Sequence, residues 1–355
     1  MTYIQADGSI KIAENSRIMV MDNNYRIMFY SYNGFTVRRS LQNIFIKNYI
    51  INGRRMVERL GINEAKKIVN EFYSYARNYT YIPEHVNYEF LQDDAEKLIK
   101  IYGNFIPIVP PDQYLSIYLK ITSGCPWNKC TFCDLYQNDK YNVLYLKDIE
   151  SEINALKEYF GSSITSRRSI FLGDANAINI GSDRLFEYLD LIHSNFNLGI
   201  YSFMDVFTTL KTKKFEDFVR MRELGMKRVY VGLESGDPDV LNILNKKIDI
   251  NESINFINTV KDAGINIGII ILIGAGGKKH SQGHINNTVN YLKKINFTHG
   301  DMIYLSELSE NERFLSALKD KPMTPQEKYD EMFKFKSLSS FGVPVVDYNL
   351  TEAVY

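Results

Sequence analysis

Cysteine is the scarcest reactive residue of this chain: there are three in 355 positions, all between Cys125 and Cys133. So small and odd a number argues against a disulfide scaffold, for which a secreted chain would carry more cysteines in even number. The segment Met1–Gly8 lacks a charged-then-apolar leader, so the expectation is a reducing, cytoplasmic location. The longest apolar run, Ile267–Ile273, is interrupted by Gly268 and is far too short to span a bilayer, so no membrane partner is expected. Neither sign of charge dominates: 42 Lys and Arg face 42 Asp and Glu, leaving no overall basic field for nucleic acid or anionic lipid. With only nine prolines and 21 glycines, a collagen-like or disordered chain is also excluded. What remains is an ordinary folded composition, 45% hydrophobic and 24% charged. At about 150 residues per domain the length suggests two domains, or one α/β barrel with added segments.

Residues 1–112 read as an α+β accessory region. Tyr3–Ile12 suggests strand, Asp7-Gly8 turn and strand, and Arg17–Val37 is strand-rich. Helical spacing follows near Asn63–Asn78 and Asp93–Tyr102. Pro107, Pro110 and Pro111 then form a stiff break before Tyr114. From there the pattern changes. Short apolar runs at Leu115–Ile121, Ser169–Leu172, Gly199–Met204, Arg228–Gly232, Asn266–Ile273 and Asp301–Leu305 alternate with amphipathic helices. Gly225 and Gly264 stand where left-handed helix caps need glycine. Strands separated by helices imply a parallel sheet with right-handed crossovers, either open or curled into a partial barrel. Ligands of such a sheet sit beyond the carboxyl ends of its strands. The core is expected over 113–310. A C-terminal extension, 311–355, carries a helix from Thr324-Pro325 and a short strand at Val343–Val346.

The key segment is Ser123-Gly124-Cys125-Pro126-Trp127-Asn128-Lys129-Cys130-Thr131-Phe132-Cys133-Asp134, directly after the first strand of the α/β unit. A loop containing Gly124, Pro126 and Asn128 is a poor place to bury cysteines as packing residues. Two metal readings compete. Structural zinc wants four closed ligands, yet there is one Cys-x2-Cys pair and every histidine is remote in sequence. A 4Fe–4S cluster takes four thiolates, and with three one iron must bind something else. Electron transfer alone gives no reason to leave that iron open; binding a substrate or cosubstrate does.

Over roughly residues 113–310 the chain resembles the radical S-adenosylmethionine (radical SAM) superfamily. It is similar in particular to the branch with coproporphyrinogen dehydrogenases, methylthiotransferases and the Elongator catalytic subunit. The family motif has one residue fewer between its first two cysteines than the four found here. The resemblance implies a partial (β/α)6 barrel, a 4Fe–4S cluster on Cys125, Cys130 and Cys133, and S-adenosylmethionine (SAM) chelating the open iron. Phe132 matches an aromatic position that packs near the adenine; simple loop packing would also explain it. Gly173 and Asp174, at the end of the second strand, match the segment that holds the methionyl ammonium, although a turn or N-cap aspartate looks the same. Gly232-Leu233-Glu234-Ser235-Gly236 is similar to the strand end that binds the ribose and carboxylate of SAM. A carboxylate there suits ribose hydroxyls, and a serine can donate to a carboxylate. Gly274 opens a Gly-Ala-Gly-Gly turn resembling the segment whose backbone meets adenine.

By the family's mechanism, one electron through the cluster cleaves SAM to methionine and a 5′-deoxyadenosyl radical, which removes a hydrogen atom from a substrate. Such an enzyme is oxygen-sensitive. The resemblance implies a small-molecule substrate and an electron donor such as a flavodoxin or ferredoxin. The cysteine count excludes relatives that need a second cluster or a methyl-carrying cysteine. Two other readings stay open. One is a non-catalytic haem chaperone of the coproporphyrinogen-dehydrogenase-like type. The other is a tRNA- or rRNA-modifying enzyme that contacts RNA through Arg38-Arg39, Arg54-Arg55 and Arg167-Arg168. His280, His284, Tyr136, Asp205 and Tyr304 lie near strand ends, where they face substrate or serve the structure.

Overall fold

Asparagine and glycine adopt left-handed backbone conformations at low cost, and two Asn-Gly pairs organise the N-terminal third. At Asn33-Gly34 and Asn52-Gly53 both φ angles are positive, between 48° and 79°, as two-residue hairpin turns require. The computed structural model describes residues 1–103, 108–337, 341–352 and 354–355; Pro107 of the proline break lies outside them. The chain divides into two units. The first comprises Met1–Ile117, Glu150–Arg168 and Leu350–Tyr355; the second comprises Tyr118–Ile149 and Ser169–Asn349.

In the first unit seven strands form an antiparallel meander in sequence order: β1 (Thr2–Ile4), β2 (Ile10–Glu14), β3 (Arg17–Met21), β4 (Ile27–Tyr32), β5 (Phe35–Arg39), β6 (Phe45–Ile51) and β7 (Arg54–Arg59). The helices α1 (Ile62–Ala76) and α2 (Tyr88–Tyr102) follow. One sheet face supplies Ile12, Met19, Tyr30, Val37 and Phe45 to a core completed by Val69, Phe72 and Leu91 of the helices. Strand alternation meets helical periodicity there, which is why each side buries only one face. Arg26 binds Asp94 at 2.8 Å and stacks 4.3 Å from the centroid of Tyr159, which draws the later segment Glu150–Arg168 into this unit. At the other end of the chain, Arg55 grips the Glu352 carboxylate with two bonds of 2.9 and 2.7 Å. Arg38 donates to the carbonyls of Glu352 and Val354, Arg39 to Asn43 and the Leu91 carbonyl, and Arg167 packs over Phe160. Much of the arginine set that the sequence offers to RNA is therefore engaged inside the unit.

The second sheet is built on β8 (Ser116–Lys120), β11 (Ser169–Gly173), β12 (Ile200–Met204), β13 (Met226–Glu234), β14 (Asn266–Ile273), β15 (Met302–Glu307) and β16 (Val345–Asp347). Its order is β16-β15-β14-β13-β12-β11-β8, and the pairs from β11 through β16 are parallel. A small pair, β9 (Thr122–Ser123) and β10 (Asn142–Val143), brackets the cysteine segment. The intervening helices are α3 (Leu146–Phe160), α4 (Ser182–Phe196), α5 (Val206–Thr209), α6 (Phe215–Glu223), α7 (Pro238–Ile243), α8 (Ile250–Asp262), α9 (Gly277–Leu292), α10 (Glu312–Leu318) and α11 (Pro325–Ser337). This is the α/β architecture expected from the alternation of apolar runs, with β16 added at the sheet edge. Asp205, Asp237, Asp249 and Asn311 cap α5, α7, α8 and α10 through their side chains. Gly225 and Gly264 take φ of 99° and 83° after their helices, as read from the sequence. Parallel strands put the ends at Lys120, Gly173, Met204, Glu234, Ile273 and Glu307 on one edge of the sheet.

Among the described residues no helix is long and apolar enough to cross a membrane.

Candidate active site

The cysteine segment leaves β9 and is docked on the last turn of α7. Thr131 donates its N–H to the Leu244 carbonyl at 3.1 Å and its hydroxyl to the Ile243 carbonyl at 2.9 Å. Trp127 Nε1 donates to the Asn245 carbonyl at 3.1 Å, and the Asn245 amide returns a bond of 2.8 Å to the Lys129 carbonyl. Within the loop, Asn128 N–H donates to Cys125 Sγ at 3.4 Å and Cys133 N–H to the Cys130 carbonyl at 3.4 Å. The three thiols are free and partly buried. Burial pushes all of them up, Cys130 to about 12, with Lys246 working in the opposite direction. Metal binding at such a site must displace protons.

Asp174 ties the second strand end to this loop. Its Oδ1 accepts from the Tyr118 hydroxyl, and its Oδ2 faces the Gly124 N–H at 3.4 Å, one residue before Cys125. Burial raises its pKa, and the Tyr118 hydrogen bond and nearby Lys120 oppose that rise. A Cβ on Gly173 would run into the Tyr118 hydroxyl, so this close packing needs glycine. Tyr136 accepts the Ala175 N–H at 3.1 Å, and Asp205 caps α5 while its Oδ2 takes the Asn176 amide at 2.9 Å. These acids and tyrosines frame the loop.

Glu234 ends β13 in a left-handed conformation, φ 63°, where the strand's register shifts. Its carboxylate lies 3.1 Å from Lys246 Nζ, and both side chains are under 10% exposed. The same ammonium reaches the Gly232 carbonyl. Burial alone would lower the Lys246 pKa, but Glu234, Cys130 and Asp205 reverse the shift and hold it raised. Lys246 carries no signal in the sequence, because nothing local marks a lysine twelve positions beyond Glu234. Ser235 is fully buried against His284, Oγ to Nδ1 2.8 Å. Phe132 packs on the apolar cluster of Leu244, Leu272 and Ala275, so it shares a wall with the turn that Gly274 opens. Gly274 has φ 85° and gives its N–H to Glu331 at 2.7 Å. Of the remaining strand-end candidates, Tyr304 is fully buried, and His280 lies 3.9 Å from Asp239 on the rim.

Among the described residues no group of three or more His, Cys, Asp or Glu side chains is arranged to hold a single metal ion. The donor chemistry, three thiols on one loop, is that of an iron–sulfur cluster. Three thiols on one loop can surround a cluster's irons, with a buried cation beside them to offset the negative charge that thiolates bring. Cys125, Cys130 and Cys133 would hold a 4Fe–4S cluster in this arrangement.

The radical SAM superfamily profile matches residues 119–310. Among curated proteins, the haem chaperone HemW of Buchnera aphidicola subsp. Schizaphis graminum is 23% identical over 238 residues, covering 58% of this chain and 60% of that protein. HemW of the Acyrthosiphon pisum subspecies is 21% identical over the same shares. The chain thus spans about 60% of the length of the curated relatives it matches. Among solved structures, coproporphyrinogen III oxidase (HemN) from Escherichia coli is similar with a TM-score of 0.47 and 17% identity, over 62% of this chain and 51% of that one. With the profile covering more than half of the chain and the three thiols on the loop that follows its first core strand, the chain belongs to the radical SAM superfamily, whose cofactors are a 4Fe–4S cluster and SAM.

Proposed function

We propose that the chain is a radical SAM enzyme that abstracts a hydrogen atom from a small-molecule substrate, with residues 113–310 as its catalytic core. The observation that carries this reading is the convergence of three free thiols, the buried Lys246–Glu234 pair and the Gly274 turn at one edge of a parallel sheet. When bound, the cluster and SAM supply one-electron cleavage of the sulfonium and a 5′-deoxyadenosyl radical. The protein's own residues do the rest. Cys125, Cys130 and Cys133 would be the thiolates that hold the cluster. Lys246 supplies positive charge beside Cys130, and Glu234 stands where ribose hydroxyls are bound in the family. Phe132 and the Gly274 turn form an apolar wall suited to a flat base and to excluding water. Asp174 is engaged with Tyr118 and Gly124, so its part is to set the cysteine loop as well as to offer charge to the methionyl ammonium. An electron carrier such as a flavodoxin or ferredoxin would supply the electron.

Anaerobic reconstitution with iron and sulfide tests the reading. The wild-type chain should take up about four irons and release 5′-deoxyadenosine from SAM under a strong reductant. Cys125→Ala, Cys130→Ala and Cys133→Ala should each lose the cluster's visible absorbance. A triple variant that still binds iron and cleaves SAM would sink the idea.

A second reading is a haem chaperone, favoured by the two HemW relatives. Haemin titration separates the two: tight stoichiometric binding without 5′-deoxyadenosine formation supports the chaperone.

A further inference from the structure

Ser235, His284 and Glu331 form a buried polar chain, 0%, 0% and 1% exposed, that joins the end of β13 to α9 and α11. Ser235 Oγ lies 2.8 Å from His284 Nδ1 and accepts the Asp237 N–H at 3.0 Å. Across the ring, His284 Nε2 lies 3.8 Å from Glu331 Oε1, and the Leu272 carbonyl also faces the ring. Glu331 accepts twice over: Oε1 takes the Gly274 N–H at 2.7 Å and Oε2 takes the Ser281 hydroxyl. Lys328, one turn earlier on α11, lays its methylene stem against Gly274 and gives its ammonium to the Leu308 carbonyl at 2.6 Å.

Burial pushes the His284 pKa below its ordinary value, although Glu331, Asp237 and the Leu272 carbonyl pull the other way. A neutral imidazole carries a single N–H. The other polar groups facing the ring, the Glu331 carboxylate and the Leu272 carbonyl, are acceptors. A lone pair on Nε2 would face the carboxylate's negative charge, so the proton belongs on Nε2. Nδ1 is then an acceptor, and its partner is the Ser235 hydroxyl. Having accepted from Asp237 and donated to His284, Ser235 has no proton left for a ligand.

We propose that Glu331, on the helix beyond the catalytic core, is a positioning residue for the SAM pocket. It holds the Gly274 turn through the amide and, by way of His284, turns the Ser235 hydroxyl inward. Ser235 then shapes the β13 turn and does not donate to the SAM carboxylate, contrary to the role its motif suggests. This rests on the reading of Ser235 and Gly274 as parts of the SAM pocket.

The test uses the full chain with its cluster reconstituted and SAM as the titrated probe. Glu331→Ala should raise the Kd for SAM about tenfold, while kcat for SAM cleavage at saturation stays within about twofold of wild type. Ser235→Ala combined with Glu331→Ala should weaken binding by less than the sum of the two single losses, because His284 links the two side chains. His284→Asn, which keeps an acceptor near the Nδ1 position, should retain most of the affinity that His284→Leu loses. Fully additive losses in the double variant would show that Ser235 acts independently of Glu331 and would overturn the proposal. So would wild-type affinity in a stable Glu331→Ala protein. If Glu331→Ala does not fold, Glu331→Gln keeps an oxygen for Gly274 but removes the charge facing Nε2. Nitrogen-15 shifts of His284 should then show its proton leaving Nε2, and unchanged shifts overturn the tautomer. A wild-type chain that takes up its cluster but binds no SAM overturns the functional reading and this inference together; failure of the variants alone overturns only the inference.

Discussion

Lys246 Nζ lies 3.1 Å from Glu234 Oε1, and both side chains are almost removed from solvent. Glu234 closes a strand and Lys246 follows a helix, so the pair joins the ends of two elements next to the cysteine loop. A buried pair of this kind offsets its desolvation only while both partners are present. Lys246→Met should therefore destabilise the fold by about 3–5 kcal/mol, measured by urea unfolding, because it strands a buried carboxylate. Adding Glu234→Gln should recover much of that loss, and full additivity would mean that the two charges do not act on each other.

The loop's docking on α7 predicts a smaller effect of Thr131→Val. Removing the hydroxyl leaves the Ile243 carbonyl one bond short, for a cost of about 1 kcal/mol. The variant should keep its fold but lose cluster faster than wild type when challenged with a chelator. Equal rates of iron release would show that the docking does not hold the cluster loop.

Gly274→Ala should be costly for two reasons. The backbone sits at φ 85°, and a Cβ would meet the Lys328 stem at 3.0 to 3.3 Å. The left-handed conformation alone costs about 1–2 kcal/mol for a residue with a Cβ. A fall in melting temperature together with weaker SAM binding is expected, and an unchanged protein would show that α11 yields freely.

His284 makes stability depend on pH. Burial lowers its pKa in the fold below the ordinary 6.5, so the unfolded chain takes up a proton first as pH falls. Stability from this group is complete above about pH 6.5 and declines as pH drops from there toward the lowered native value. Urea unfolding from pH 7.5 to pH 5 should show a steeper decline for wild type than for His284→Gln. Parallel curves would mean that the native ring takes a proton as readily as the unfolded one.

Much of the fold was legible because strands, helices and turns are local. Asn266–Ile273 is a strand over the same residues in sequence and structure, since a continuous apolar run between a helix cap and a glycine turn has few other uses. The Asn33-Gly34 and Asn52-Gly53 turns carry an equally local signal. The cysteine spacing marked the loop that bears the thiols, and the Gly232–Gly236 segment marked a strand end that the structure bends into a left-handed turn at Glu234. Asp174 could not be resolved between ligand holder and turn residue, because only the fold sets Tyr118 and Gly124 against its two oxygens.

The sequence by itself determined the secondary structure of the α/β region, the position of the three cysteines and the family they signify, because backbone sterics, hydrophobic period and ligand spacing act over a few residues. Only the tertiary structure decided that Lys246 faces Glu234, that Glu331 reaches Gly274 from 57 residues away, and that Glu150–Arg168 joins the N-terminal unit. Such partners are selected by packing and by the need of a buried charge or amide for company, and neither leaves a trace in the neighbouring sequence.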